Sequence, residues 1–317
     1  MYLRIIKEDA KLKKCVMVYN SNSGKHKSKN LINKFTEIIN QYGYELEIIF
    51  TKRKGHASSI VKKLPDDIDL VIAAGGDGTF NEVITGNMRR EKKLLIAQLP
   101  LGTTNDVGTM YGYNKNYIND LELLLNGVIK NIDVCMINNR PFVYFAGIGN
   151  FVNVPYDTPR YLKEKYGRIG YIIYGFRELK GRLKMYDISY TIDGKKYDGK
   201  YSFIFITNSS RIAGVSNIYS DVKLDDNKFE VLFCDIKSKA SLIKNLYYFR
   251  TKEPNEISNF KYFKTNNLEI TFSDIPDNSW CLDGEEMKHR KKNFKFTINK
   301  DMYMLVPNTN IDKLFVN

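Results

Sequence analysis

The chain has 317 residues, 43% of them hydrophobic, which suits about two domains with buried cores and excludes a disordered chain. Its 49 Lys and Arg against 36 Asp and Glu leave +13, favouring an anionic partner such as a nucleotide, nucleic acid or anionic membrane surface without choosing among them. Cys15, Cys135, Cys234 and Cys281 form no CxxC pair and His26, His56 and His289 are scattered, so neither zinc nor a disulfide framework is indicated. With no apolar h-region in Met1 to Lys14 and no 18-residue apolar run, the expectation is a cytoplasmic, soluble protein with reduced thiols.

Cys15 to Tyr19 (CVMVY) has the apolar run of a buried strand. Asn20-Ser21-Asn22-Ser23-Gly24-Lys25 is a polar turn, after which Leu31, Ile32, Phe35, Ile38 and Ile39 recur at helical spacing. Tyr44 to Phe50 reads as the next strand, ended by Thr51. A helix follows from Gly55-His56-Ala57 to about Leu64, with a turn at Pro65-Asp66-Asp67. The chain is organised around Val71 to Glu82 (VIAAGGDGTFNE): a strand from Leu70 to Ala74, a glycine turn, and a helix from Thr79 to Met88 with Thr79 or Asp77 near its N-cap. Glycines at a strand-to-helix turn let backbone N–H groups approach phosphate oxygens, with help from the helix N-terminus. Asp77 among phosphates is repulsive unless a divalent cation or a bound hydroxyl intervenes. The stretch therefore points to a magnesium-nucleotide site, the alternative being a tight connection with no ligand. Leu94 to Leu99 is a further strand, broken by Pro100-Leu101-Gly102-Thr103-Thr104-Asn105-Asp106. Alternating strand and helix periods imply a mostly parallel sheet, along whose C-terminal edge the three polar turns converge.

From about Val134 the texture becomes β-rich, with runs at Phe142 to Ile148, Ile188 to Ile192, Tyr201 to Thr207 and Phe229 to Phe233. Asp193-Gly194 lies between two alternating runs and needs no reading beyond a hairpin turn. The same dipeptide at Asp283-Gly284 stands in WCLDGEE, where a hairpin explains both residues and leaves Glu285 unexplained. Arg160 to Lys184 is a basic, tyrosine-rich helix candidate whose ordinary reading is one packed and one solvated face, and whose alternative is a membrane-facing surface.

Gly75-Gly76-Asp77-Gly78-Thr79-Phe80-Asn81-Glu82, then Pro100 to Asp106, then Leu282-Asp283-Gly284-Glu285 together resemble the diacylglycerol and sphingolipid kinase family, and within it the soluble bacterial diacylglycerol kinases. A GGDGT turn alone is shared with NAD kinases and, more loosely, phosphofructokinases; the later elements make the combination specific. The resemblance runs from about Cys15 to Pro307. It implies an N-terminal α/β, parallel-sheet (Rossmann-like) nucleotide domain over residues 1–133 and a C-terminal antiparallel β-sandwich over 134–317. The extreme C-terminus is free to pack back on the first domain, and the active site is expected in the cleft between the two.

The resemblance also implies roles by position. Asn20, Ser21, Asn22, Ser23 and Gly24 match a nucleotide-contacting turn in which Ser21 replaces the family's proline, and Thr51 matches a threonine that contacts ATP. Gly75, Gly76, Asp77, Gly78, Thr79, Phe80 and Asn81 match the phosphate-binding loop, and Gly102, Thr103 and Thr104 the stretch beside the nucleotide. Asp283 falls on the catalytic base, with Glu285 and Asp77 in the magnesium network. Lys223 to Lys228 resembles a structural magnesium loop, with Asp226 on the ion beside backbone groups of Lys223 and Lys228. Asn227 stands there for the usual glycine, and Asn also adopts a left-handed backbone. The implied activity is ATP- and Mg2+-dependent phosphorylation of diacylglycerol by a protein docked peripherally on an anionic membrane. Lys25, Lys163, Lys165 and Arg168 are the docking candidates; nucleic acid is not an expected partner, and a homodimer is left open. Rival readings are another lipid alcohol, NAD, or a nucleotide- or nucleic-acid-binding regulator.

Overall fold

Strands separated by helices pair in parallel here, because a helical crossover returns each strand to the same edge of the sheet. The computed structural model describes residues 12–21, 29–103, 105–150, 183–212, 215–216, 219, 221–248 and 251–316. Two units emerge. The first takes the chain up to Thr103 with Tyr113–Lys130 and Tyr303–Asn308; the second takes Thr104–Gly112, Asn131–Met302 and the chain from Thr309 on.

In the first unit, β1 (Lys13–Tyr19), α1 (Lys29–Gln41), β2 (Tyr44–Phe50), α2 (His56–Lys63), β3 (Leu70–Gly75), α3 (Asp77–Met88) and β4 (Ile96–Pro100) alternate as the sequence pattern requires. The short α4 (Asp106–Met110) belongs to the second unit, and α5 (Tyr117–Leu125) and β5 (Val128–Asn131) return to the first. β1 pairs in parallel with both β2 and β3, and β3 with β4. Every residue of β3 and β4 is buried, which is why these runs are continuously apolar rather than alternating. Helix α3 starts two residues earlier than the sequence suggests. Gly76, in extended backbone, is the N-cap; Thr79 lies inside the first turn, and its hydroxyl bonds Asn20 instead of the helix.

In the second unit come β6 (Val134–Ile137), β7 (Arg140–Phe142), β8 (Phe145–Gly149), β9 (Tyr186–Ile192), β10 (Lys195–Tyr201), β11 (Phe203–Thr207), the small pair β12 (Arg211–Ile212) and β13 (Val215–Ser216), and β14 (Phe229–Cys234). They are followed by α6 (Lys239–Tyr248), β15 (Phe260–Thr265), β16 (Leu268–Phe272), β17 (Trp280–Leu282), β18 (Glu285–Met287) and β19 (Asn293–Asn299). Next in the chain is β20 (Tyr303–Val306), which completes the first sheet in the order β2-β1-β3-β4-β20-β5, and last α7 (Ile311–Leu314).

Two six-stranded sheets, β10-β9-β16-β19-β6-β7 and β15-β14-β11-β8-β17-β18, share one core that includes Phe142, Tyr190, Phe233, Phe272, Trp280 and Phe296. Among the described residues their strands pair antiparallel. Two apolar runs that look continuous in sequence are each split between the sheets. Phe142 to Ile148 breaks at Val143 and Tyr144, and Tyr201 to Thr207 breaks at Ser202, whose hydroxyl donates to Cys234 O (3.0 Å) and accepts from the Ile236 N–H (3.1 Å). Except for its last two residues, the helix candidate Arg160 to Lys184 lies outside the described residues. All four cysteines are buried and unbridged.

Candidate active site

The order β2-β1-β3-β4 makes β1 and β3 the point where the chain reverses its direction of travel across the sheet, and such a point opens a crevice at the C-terminal strand ends. Each residue leaving a strand there bonds back to its neighbour: Asn20 N–H to Ala74 O (2.9 Å), Thr51 N–H to Tyr19 O (2.9 Å) and Leu101 N–H to Gly75 O (2.8 Å). Asn20, Thr51, the glycine turn and Gly102-Thr103 thus leave the sheet along one edge. The Asn20 amide spans the crevice and donates to Thr79 Oγ1 at 2.9 Å. A Cβ at Gly75 would lie 2.5 Å from that same Oγ1, so the turn needs glycine there to bring α3 this close. Gly76 brings no capping side chain to the 12-residue α3, the arrangement that admits an anion at a helix N-terminus. Asp77, in the first turn, accepts from Gln98 Nε2 at 3.4 Å.

Helix α3 also holds its neighbour at both ends. Helix α2 starts after Gly55 (φ 77°), which has no side chain to cap it. Glu82 supplies the cap from α3, Oε1 accepting from the Gly55 N–H (2.6 Å) and Oε2 from the Ala57 N–H (3.0 Å). Arg90, buried and also paired with Asp66, donates to the carbonyls of Val61 (3.0 Å) and Leu64 (2.6 Å) at the other end. Carboxylate at the N-terminus and guanidinium at the C-terminus both match the helix dipole. Glu82 and Gly86 share one face of α3 and Arg90, just past the C-cap Arg89, extends the stripe; a Cβ at Gly86 would sit 2.5 Å from Ser58 O. The stripe presses α2 onto α3 and so fixes the loop from Thr51 to Gly55.

In the second unit Asp283 and Gly284 form the turn of the β17–β18 hairpin, with Leu282 opposite Glu285 and φ of 49° and 86°. Asp283 is 5% exposed. Its carboxylate is clasped by three backbone donors: Val143 N–H on Oδ2 (2.7 Å), and Tyr144 and Phe145 N–H on Oδ1 (3.0 Å each). Those bonds explain the break between β7 and β8, since the N–H groups that would continue the strand are turned onto the carboxylate. Glu285, half-buried, follows at the first position of β18.

Residues 14–137 match the model of the diacylglycerol kinase catalytic domain, a span that includes the glycine turn and every strand end described above. Over that span the chain is similar to a diacylglycerol kinase catalytic domain. Over 307 residues it is 27% identical to the diacylglycerol kinases of Staphylococcus aureus strains MRSA252 and JH9, with 96% of each chain covered. Two Bacillus anthracis structures share the fold. One diacylglycerol kinase superposes with TM-score 0.76 at 22% identity, covering 95% of this chain and 99% of its own. Another, provisionally assigned to the same class, gives 0.80 at 23%, covering 97% and 99%.

The candidate nucleotide-turn residues Asn22, Ser23 and Gly24 lie outside the described residues, as do Thr104 and the docking candidates Lys25, Lys163, Lys165 and Arg168. Beyond the matched span, the Asp226 loop keeps the expected shape, with Asn227 left-handed at φ 60° and Asp226 Oδ1 accepting from the Lys228 N–H (3.0 Å). Lys223 Nζ donates to Asp312 O (2.7 Å). The charge of the loop is balanced from within. Lys264 Nζ lies 2.9 Å from Asp226 Oδ2 and 3.8 Å from Glu230 Oε1, and donates to Asp221 O at 2.8 Å. Burial pushes the Glu230 carboxyl up to about 8, with Lys264 opposing it. Asp226 Oδ2 is thus paired with an ammonium group in this structure. Among the described residues no group of three or more His, Cys, Asp or Glu is arranged to hold a metal.

Four residues that the sequence reading gave no role hold these parts in place. Gln98 is a lone polar side chain in the apolar run of β4, a signal that was legible; Glu82, though inside the glycine motif, gave no hint of its partner. Arg90 and Arg211 reach partners distant in sequence and had no local signal. Arg211 Nε pairs with the buried Asp106 at 2.8 Å, fixing the end of the GTTND stretch to β12.

Proposed function

We propose that the protein is an ATP-dependent lipid kinase that transfers the γ-phosphoryl group to the free hydroxyl of diacylglycerol, giving phosphatidic acid. The observation that supports this most strongly is that the diacylglycerol kinase catalytic match spans the turns gathered at the C-terminal edge of the parallel sheet. When bound, magnesium-ATP supplies the phosphoryl group with part of its charge offset. In this reading Asn20, Thr51 and the backbone of Gly75 to Thr79 hold the nucleotide. Asp77, oriented by Gln98, is the carboxylate suited to the magnesium-phosphate network.

Asp283 is assigned the proton. An aliphatic alcohol is far less acidic than a carboxylic acid, so Asp283 takes the proton as the O–P bond forms rather than beforehand. Its three N–H donors hold the carboxylate in one orientation throughout, and orientation is most of what phosphoryl transfer asks of a protein. In this reading Glu285 belongs to the associated magnesium network. The substrate is a bilayer lipid, and no helix among the described residues is long and apolar enough to cross a membrane. In this reading the protein works from the cytoplasmic side as a peripheral visitor, its +13 charge suited to an anionic leaflet.

The test is transfer of label from γ-radiolabelled ATP to a panel of diacylglycerol, monoacylglycerol, phosphatidylglycerol, ceramide, undecaprenol and NAD. Labelled phosphatidic acid is expected. Label on another lipid alcohol would reassign the substrate, and label on NAD alone would overturn the lipid kinase reading.

A further inference from the structure

Helix α6 buries less of its apolar surface than its composition offers. Leu242 and Tyr248 pack inward on the cluster of Leu232, Cys234, Ile236, Ile257 and Phe260 that covers the outer face of the β14 sheet. Asn245, at 3% exposure, is also turned in and donates to Ser241 O at 2.7 Å. Outward go Ala240, Ile243, Lys244 and Tyr247, spaced as one stripe, with Ile243 56% and Tyr247 64% exposed. A helix that seats an asparagine while leaving an isoleucine and a tyrosine in water inverts the usual amphipathic arrangement.

The sequence of the helix and its C-terminal turn is basic, with Asp235 before it and Glu253 after it. Residues 237–252 carry Lys237, Lys239, Lys244, Arg250 and Lys252 and no acid. Lys244 and Lys252 lie over the Tyr248 ring, 5.5 and 5.0 Å from its centroid, which holds both ammonium groups beside the exposed Tyr247. Among the described residues neither is paired with a carboxylate; Lys237 faces Asp235 at 3.4 Å. An apolar tip with an aromatic ring, flanked by the Lys244 and Lys252 ammonium groups, matches the boundary between acyl chains and anionic headgroups, where tyrosine sits at headgroup level and lysine stems lie along apolar surface. A second copy of the same patch would meet it with like charge.

We infer that the outward face of α6, with Ile243 and Tyr247 inserted and Lys244 and Lys252 on the headgroups, is a docking surface for an anionic bilayer. The inference rests on the lipid kinase reading for its purpose but not for its test, because binding is measured without nucleotide or diacylglycerol. The full chain is sedimented with vesicles of phosphatidylcholine alone and of phosphatidylcholine mixed with phosphatidylglycerol. The parent should partition onto the mixed vesicles and be released by salt. Lys244→Glu with Lys252→Glu should weaken that partition at least about fivefold for each site. Ile243→Ser with Tyr247→Ser should weaken it about tenfold. Turnover of a short-chain, water-soluble diacylglycerol should match the parent in both double variants, which separates docking from folding and catalysis. If the lysine variant binds mixed vesicles as the parent does at every salt concentration, the inference is overturned. It is likewise overturned if the parent forms a dimer that Ile243→Ser dissolves, since the patch then belongs to a second copy. Vesicle binding that shifts as expected while no lipid is phosphorylated would keep the docking surface and remove the kinase reading instead.

Discussion

The dipeptide Asp-Gly closes two hairpins of the second unit, Asp193-Gly194 between β9 and β10 and Asp283-Gly284 between β17 and β18. Their backbones are nearly the same, φ 49° and 77° in one and 49° and 86° in the other. Their carboxylates are not. Asp193 is exposed and accepts from the Thr265 hydroxyl at 2.7 Å, while Asp283 is 5% exposed and accepts three N–H groups from Val143, Tyr144 and Phe145. The dipeptide specifies the turn; a second segment of chain wrapped around the acid specifies how its carboxylate is buried and held. The wrapping costs a strand its continuity, since β7 ends where those N–H groups turn away from the sheet.

The largest expected difference between the two hairpins is in turnover. Asp283→Asn should lower it by about two to four orders of magnitude, and Asp193→Asn should leave it within about twofold. A variant away from both hairpins separates nucleotide binding from proton transfer. Glu82→Gln leaves one N–H of the α2 cap facing an amide, so the KM for ATP should rise about tenfold with kcat nearly unchanged, whereas Glu82→Asp should restore part of the loss. A fall in kcat at constant KM would mean that the cap does not act through the Thr51 loop. Stability should distinguish the hairpins next. In Asp283→Asn the amide nitrogen meets the Val143 N–H, donor against donor, and denaturant unfolding should show a loss of about 1–3 kcal/mol. Gly284→Ala and Gly194→Ala should then cost about the same, roughly 1 kcal/mol each, because both glycines have positive φ and open space where a Cβ would go. A much larger cost at Gly284 would show that the two turns differ in backbone as well as in carboxylate. Smallest of all, Asp193→Asn should change unfolding by less than about 0.5 kcal/mol.

Much of this was legible in the sequence, and the limits have physical causes. The strand ends that gather Asn20, Thr51, Gly75 and Pro100 follow from apolar runs alternating with helical periods, because in a parallel sheet all such turns share an edge. The turn at Asp283-Gly284 was equally legible, since a two-residue hairpin is a local matter. Its three N–H donors were not, as they lie 138 to 140 residues earlier inside what reads as an unbroken apolar strand. The same reason hid the sheet switch at Ser202: alternation records which face of a sheet a residue takes, and both sheets turn their inner faces to one core. Asn227 in place of glycine was legible as a left-handed position, because that depends on its own backbone. The ammonium group of Lys264 beside Asp226 was not, because it comes from β15, 38 residues on. Glu82 shows the boundary most sharply, lying within the most recognisable motif of the chain while its bonds go to a different helix.

The central claim is that one set of residues holds the nucleotide while Asp283 accepts the proton, and it is tested most directly by the ATP affinity of Asp283→Asn, measured by titration calorimetry on protein whose turnover of diacylglycerol has been shown to be lost. The account predicts a Kd for ATP within about twofold of the parent, since no part of the Asn20, Thr51 and glycine-turn arrangement is altered. A loss of ATP affinity as large as the loss of turnover would contradict it.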